Sequence, residues 1–165
     1  MIPAGNPILQ YPSHANIHLA ITLAEESIAA APETLSSFVY ISAADGSIVL
    51  PSRYLSTKRE AEAAISTLSK AEKPFRPIFL RPGFLYDSTR PVTMPLAGLM
   101  GVTSAVNSLF GGKLPLLGAA GYKPLKVGVV AEAAVEAIAR ESVKGVVEVK
   151  DIEELYSKAW RRGML

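Results

Sequence analysis

Tyr54 and Lys58 are the residues in this sequence best suited to acid–base chemistry. They open the run Tyr54-Leu55-Ser56-Thr57-Lys58-Arg59-Glu60-Ala61-Glu62, which has the composition of a helix and meets no Gly or Pro before Pro74. Four residues is close to one helical turn, so the phenol and the ammonium share a face and can touch. An ammonium beside a phenol favours the phenolate, which is how a tyrosine can act as an acid or base near neutral pH. Ahead of this helix, Ser42 closes Ser37-Phe38-Val39-Tyr40-Ile41-Ser42, whose β-branched and aromatic run reads as a buried strand leading to a turn at Asp45-Gly46.

The elements that must hold these residues follow in order. Residues 1–13, with Pro3, Gly5, Pro7 and Pro12, read as a loop or tail. Ser13 caps a helix from His14 to about Ala31, with Ile17, Ile21, Ala24 and Ile28 inward and Glu25 and Glu26 toward solvent. The strand at 37–42 and a helix over about 53–72 come next, then a strand from Arg76 to Leu80. Pro82-Gly83 breaks that strand where open α/β sheets place their ligands. Pro91 to Phe110 reads as mostly helical, Gly111 to Pro115 as a loop, and Lys123 to Val127 as a short strand. A helix over Val129 to Glu141 turns Val130, Ala133, Ala134, Ala137 and Ile138 inward. Gly145 opens a last strand, Val146 to Val149, and Asp151 caps a final helix through Trp160-Arg161-Arg162. Strands alternating with helices make the class α/β.

Composition narrows the function. The chain has 165 residues, 49% hydrophobic and 19% charged, enough apolar material for a core within one domain. A net charge of +2 gives no footprint for nucleic acid. No cysteine is present, which removes disulfides and thiolate metal sites. His14 and His18 stand four apart without a third ligand, so no metal site is expected. The low-charge run from Pro91 to Gly112 has the length of a membrane span, but prolines, glycines and polar residues break it, and no transmembrane span is expected. Met1-Ile2-Pro3-Ala4-Gly5 has no targeting signature. Lys158, Arg161 and Arg162 beside Trp160 form a basic amphipathic end, either a solvated last turn or a surface for an anionic membrane or partner.

Three features combine: a strand ending in serine, Tyr-x-x-x-Lys on a helix, then Leu80-Arg81-Pro82-Gly83-Phe84-Leu85-Tyr86. Together they resemble the second half of an extended or atypical short-chain dehydrogenase/reductase of the NAD(P)-binding Rossmann superfamily. Ser52-Arg53-Tyr54-Leu55 and Arg81-Pro82-Gly83-Phe84-Leu85-Tyr86-Asp87 look most like its divergent mitochondrial branch. That branch includes the accessory subunit of respiratory complex I and the fungal dehydrogenase-like protein of coenzyme Q biosynthesis. The resemblance implies a doubly wound parallel sheet over residues 14–165. It also implies Tyr54 as general acid/base, Lys58 on the nicotinamide ribose and Ser42 as the hydroxyl partner, or by register Ala43, which carries no hydroxyl and would leave the set incomplete. Arg81, Pro82, Gly83 and Phe84 would line the nicotinamide end of the cleft for NAD or NADP.

The first half of such a fold is not legible. A dinucleotide site begins with a strand, a Gly-rich turn and a helix N-terminus, yet Gly5 is the only glycine before Gly46. The expectation is therefore a partial domain lacking the Gly-rich βαβ unit and its pyrophosphate site, with an open sheet edge. Two functions fit: a mitochondrial dehydrogenase-like protein beside quinone metabolism or respiratory complex assembly, bound to a membrane-associated complex, or a non-catalytic docking module. A sugar-nucleotide epimerase or reductase is the third reading, and a cytoplasmic location is the alternative to a mitochondrial one.

Overall fold

The computed structural model describes residues 13–30, 34–45, 52–71, 75–87 and 123–163. Their elements are α1 (Ser13–Ala30), β1 (Ser36–Ile41), α2 (Ser52–Ala71), β2 (Phe75–Leu80), β3 (Leu85–Tyr86), β4 (Leu125–Lys126), α3 (Val127–Ala139), β5 (Gly145–Val147) and α4 (Val149–Gly163). The main sheet is parallel, ordered β1-β2-β5, with Val39 opposite Ile78 and Phe79 opposite Val146. A second parallel pair, β3 with β4, sets Leu85 opposite Leu125.

β2 is buried along its whole length, and its side chains alternate between two cores. Phe75 and Phe79 pack with Ala20, Ala24, Ala61 and Ile65 of α1 and α2. Ile78 and Leu80 pack with Val130, Ala133 and Ala137 of α3 and Ile152 and Leu155 of α4. Helices therefore cover both faces of the sheet, as a parallel sheet requires. The α/β, doubly wound reading holds.

Arg76 is the exception inside β2. It is buried, and its guanidinium donates to the carbonyls of Ala137 (3.2 Å), Ile138 (2.7 Å), Arg140 (2.6 Å) and Val143 (2.6 Å), and to Ser37 Oγ (2.7 Å). The last carbonyls of a helix lack intrahelical partners and carry the negative end of its dipole. A strand residue thus closes α3 with charge and with bonds to three carbonyls at its end, and ties Val143 and Ser37 of β1 to the same group. Among the described residues its buried Nε meets no partner.

Several boundaries move for local reasons. The strand read over Lys123 to Val127 shortens to Leu125–Lys126, because Val127 already opens α3. Ile138 lies in the last turn of α3 and is exposed, while Glu136 takes a buried position and pairs with Arg140. Asp151 is not the cap of α4. It lies in the first turn and accepts from the backbone N–H of Glu148 at 3.3 Å, the return half of a capping box. α1 begins at Ser13 with Ala24 buried and Glu25 and Glu26 exposed, as the pattern predicts. On the same helix Leu19 and Leu23 are exposed, and among the described residues β1 pairs only with β2. The tail over 1–12, the helix read over Pro91 to Phe110 and the loop after it lie outside the described residues.

Candidate functional site

The carboxyl ends of β1 and β2 lie against α2, with that of β5 beside β2. Backbone bonds continue the ladder past the strands: Ser42 N–H donates to the Leu80 carbonyl (2.7 Å), Ala44 N–H to that of Pro82 (2.9 Å) and Arg81 N–H to that of Val147 (2.9 Å). These bonds fix the Ser42–Asp45 segment against the Arg81-Pro82-Gly83 segment. Both then lie beside α2.

Tyr54 stands on the first turn of α2 and is 43% exposed. One turn later the Lys58 ammonium lies 5.7 Å from the Tyr54 ring centroid and 4.7 Å from that of Tyr40. It also donates to the Ile41 carbonyl at 2.8 Å. The shared face predicted from spacing is present, and the ammonium sits between two aromatic rings and the end of β1. Burial holds the Lys58 ammonium below the ordinary lysine range, partly offset by the Glu62 carboxylate. The Tyr40 phenol is pushed up by burial first, then by Tyr54 and Glu62.

Beside this pair runs a chain of ion pairs. Glu62 is buried and accepts from Arg81 Nε (3.0 Å) and Nη2 (2.5 Å), a bidentate pair. It also accepts from Arg59 Nη1 at 2.7 Å. Arg81 reaches on to Glu148 (3.0 Å), at the start of α4. Arg59 reaches back to the Ala43 carbonyl (2.7 Å), to Asp45 (2.7 Å) and to Ser42 Oγ (3.0 Å). Burial pushes the Glu62 carboxyl up, but hydrogen bonds from Arg81 and Ser42 and the two guanidinium charges outweigh it and hold the group below the ordinary carboxylate range. Arg81 is held above its ordinary value, first by the hydrogen bond to Glu62.

The structure thus brings Ser42, Tyr54, Lys58 and Arg81 to one end of the sheet but divides them. Tyr54 is exposed and Lys58 half-buried beside it. Ser42 is buried and accepts from Arg59, and Arg81 is committed to two carboxylates. Pro82 is buried, its carbonyl held by Ala44, while Gly83 and Phe84 are half-buried and the Phe84 carbonyl accepts from Leu125 N–H (2.9 Å). Arg59, Glu62, Glu148 and Tyr40 are the residues that sequence reading passed over. The spacing of Lys58 and Arg59 to Glu62, four and three residues, was the available signal.

The remaining candidates lie elsewhere. His18 is exposed on α1, and among the described residues no group of three or more His, Asp or Glu side chains could hold a metal ion. Among them, too, no helix is long and apolar enough to cross a membrane. At the basic end of α4 Trp160 is exposed, Lys158 pairs with Glu154, and Arg161 bonds the Ser157 carbonyl (3.3 Å). A hollow lined by Ala131, Val135 and Ala159 contains none of the candidate residues.

The three-layer fold matches a solved structure, the UDP-N-acetylglucosamine 4-epimerase from Bacillus cereus, with a TM-score of 0.54 and 16% identity. The match covers 92% of this chain and 60% of the epimerase, and it shows a shared Rossmann-like fold. In sequence the chain is similar to MIOREX complex component 2 of Saccharomyces cerevisiae (strain ATCC 204508 / S288c), 34% identical over 123 residues. That alignment takes in 70% of this chain but 42% of the yeast protein, so the chain spans well under half of that relative's length. No family model matches.

Proposed function

We propose that this chain is the nicotinamide-facing part of a divergent, dehydrogenase-like NAD(P)-binding protein of the mitochondrion. The observation that carries this is the Tyr54–Lys58 pair at the carboxyl end of a parallel sheet, where such folds hold their ligands. The fit is chemical. An ammonium has three donors, and among the described residues Lys58 commits one, to Ile41. The others can meet the hydroxyls of a ribose, and the exposed Tyr54 phenol can hold or release a proton beside them. NAD or NADP, when bound, would supply hydride chemistry. The residues here would bind, orient and exchange that proton. Pyrophosphate would need a Gly-rich turn that these residues do not supply.

The cellular role we assign is accessory, to a membrane-associated mitochondrial complex in quinone metabolism or respiratory assembly. Likeness to a component of the MIOREX complex supports membership of an assembly. A second reading, a docking module without catalysis, draws support from Ser42, whose hydroxyl is engaged within the protein. The epimerase match bears on the fold alone.

The test is NADH and NADPH binding by the 165-residue chain, followed by cofactor fluorescence, beside Tyr54→Phe and Lys58→Ala. Saturable binding that Lys58→Ala abolishes supports the cofactor reading. No binding at millimolar cofactor removes it for this chain and leaves the docking module.

A further inference from the structure

We infer that Glu62 is a positioning residue: with Arg59, Arg81 and Ser42 it locks the strand ends together, leaving Tyr54 and Lys58 as the ligand-facing pair. This deepens the reading above and rests on it for what Tyr54 and Lys58 do.

The geometry is specific. Glu62 lies one turn beyond Lys58 on α2, buried, with both oxygens bound by guanidinium groups. Through Arg59 it fixes the Ser42–Asp45 segment after β1. Through Arg81 it fixes the end of β2 and reaches Glu148 before α4. One carboxylate thereby ties the carboxyl ends of β1 and β2 to the turn that follows β5. Ser42 is consumed in the same lock. Its oxygen accepts from Arg59 at 3.0 Å and the residue is buried, so the hydroxyl turns to the lock and not to the cleft. The expected Tyr–Lys–Ser set therefore separates into the Tyr54–Lys58 pair and an inward anchor.

Two experiments on the full chain test this, and neither uses a cofactor, so each can fail independently of NAD(P) binding. The first is Ser42→Cys. The chain has no cysteine, so the variant carries one thiol, titrated with a chromogenic disulfide reagent. We expect the native thiol to react at least about 100-fold more slowly than in urea, as a buried group does. Native reaction within about tenfold of the unfolded rate would overturn the inference, because Ser42 would then face the cleft.

The second is Glu62→Gln, read by the pH dependence of Lys58 acylation, with exposed Lys70 and Lys123 as internal references. The groups facing Lys58 are Tyr40 and the Ile41 carbonyl from β1 and Tyr54 and Glu62 from α2. Glu62 favours the ammonium while burial opposes it. If Glu62 holds the site, its loss loosens it, hydrates Lys58 and moves the midpoint up toward the references, slowing acylation at a fixed pH below it. If Glu62 acted on Lys58 through charge alone, the site would stay intact and the midpoint would move down. A downward or absent shift overturns the proposal.

Discussion

Replacing Arg76 by Met should cost the protein stability through the end of one helix. The guanidinium serves four carbonyls, of Ala137, Ile138, Arg140 and Val143, and the Ser37 hydroxyl. Met fills similar volume and donates nothing. Taking about 1 kcal/mol for each carbonyl left without its donor gives about 4 kcal/mol in all. Relief of the buried charge returns part of that, since taking a guanidinium out of water is itself costly, and about 2–3 kcal/mol of net loss is expected. At about 2–4 °C per kcal/mol for a chain of this size, the thermal midpoint falls roughly 5–10 °C. Urea unfolding followed by circular dichroism measures the loss, and amide hydrogen exchange locates it. Faster exchange should appear at Arg140 and Val143, whose N–H groups bond the Glu136 and Arg140 carbonyls in the same turn. Arg76→Lys, keeping charge but not the planar fork, should fall between. A midpoint at or above wild type would refute the reasoning, because burial of the charge would then outweigh every bond it makes. Destabilisation without faster exchange at those amides would refute the assignment to the end of α3.

Two further predictions concern pH. The Glu62 carboxyl holds its proton less tightly folded than unfolded, so its stabilisation is complete above the ordinary glutamate range and is lost as pH falls through and below about 4. Glu62→Gln should lose about 2 kcal/mol at neutral pH and show a flatter acid limb in urea midpoints against pH, whereas parallel limbs would contradict the pairing. Lys58 runs the other way. Its folded ammonium is disfavoured by burial, so the unfolded chain binds the proton more tightly and stability rises with pH toward the ordinary lysine value. Lys58→Met should lack that rise and gain roughly 0.5–1 kcal/mol at neutral pH, and a loss there would mean the Ile41 bond and ring contacts outweigh desolvation.

The backbone was largely legible because its signals are local. Ala24 and Ile28 keep helical spacing on α1, Phe38 to Ile41 carry strand residues, and Pro82-Gly83 ends β2, all within a few residues of what they determine. Tyr54 and Lys58 were legible for the same reason, being one turn apart. Arg76 was not. Its carbonyl partners lie 61 to 67 residues away on α3 and beyond, and a charge within an apolar strand announces burial only once α3 is seen to end above it. Ile138 misled because the inward stripe of α3 was extended into its final turn, where the helix stops at Ala139. Ser42 was placed at the right end of the right strand, but spacing along the chain cannot tell which way a hydroxyl turns.

That last point governs how the site is built. Tyr54 and Lys58 share one helical turn, so the spacing that makes the pair legible also makes it local, and no distant residue is needed to bring them together. Their address, however, is set by distance: the ammonium meets the Ile41 carbonyl only because α2 is held against the end of β1. Arg59 and Glu62, on the next turn of the same helix, do the holding. Hence α2 carries both the Tyr54–Lys58 pair and the groups that seat it, and a change at Glu62 reaches Lys58 through charge and position together. The two effects have opposite signs at Lys58: loss of charge lowers its proton affinity, and loss of position raises it. A single titration of that amine in Glu62→Gln therefore separates electrostatics from support, where a stability measurement would register only their sum.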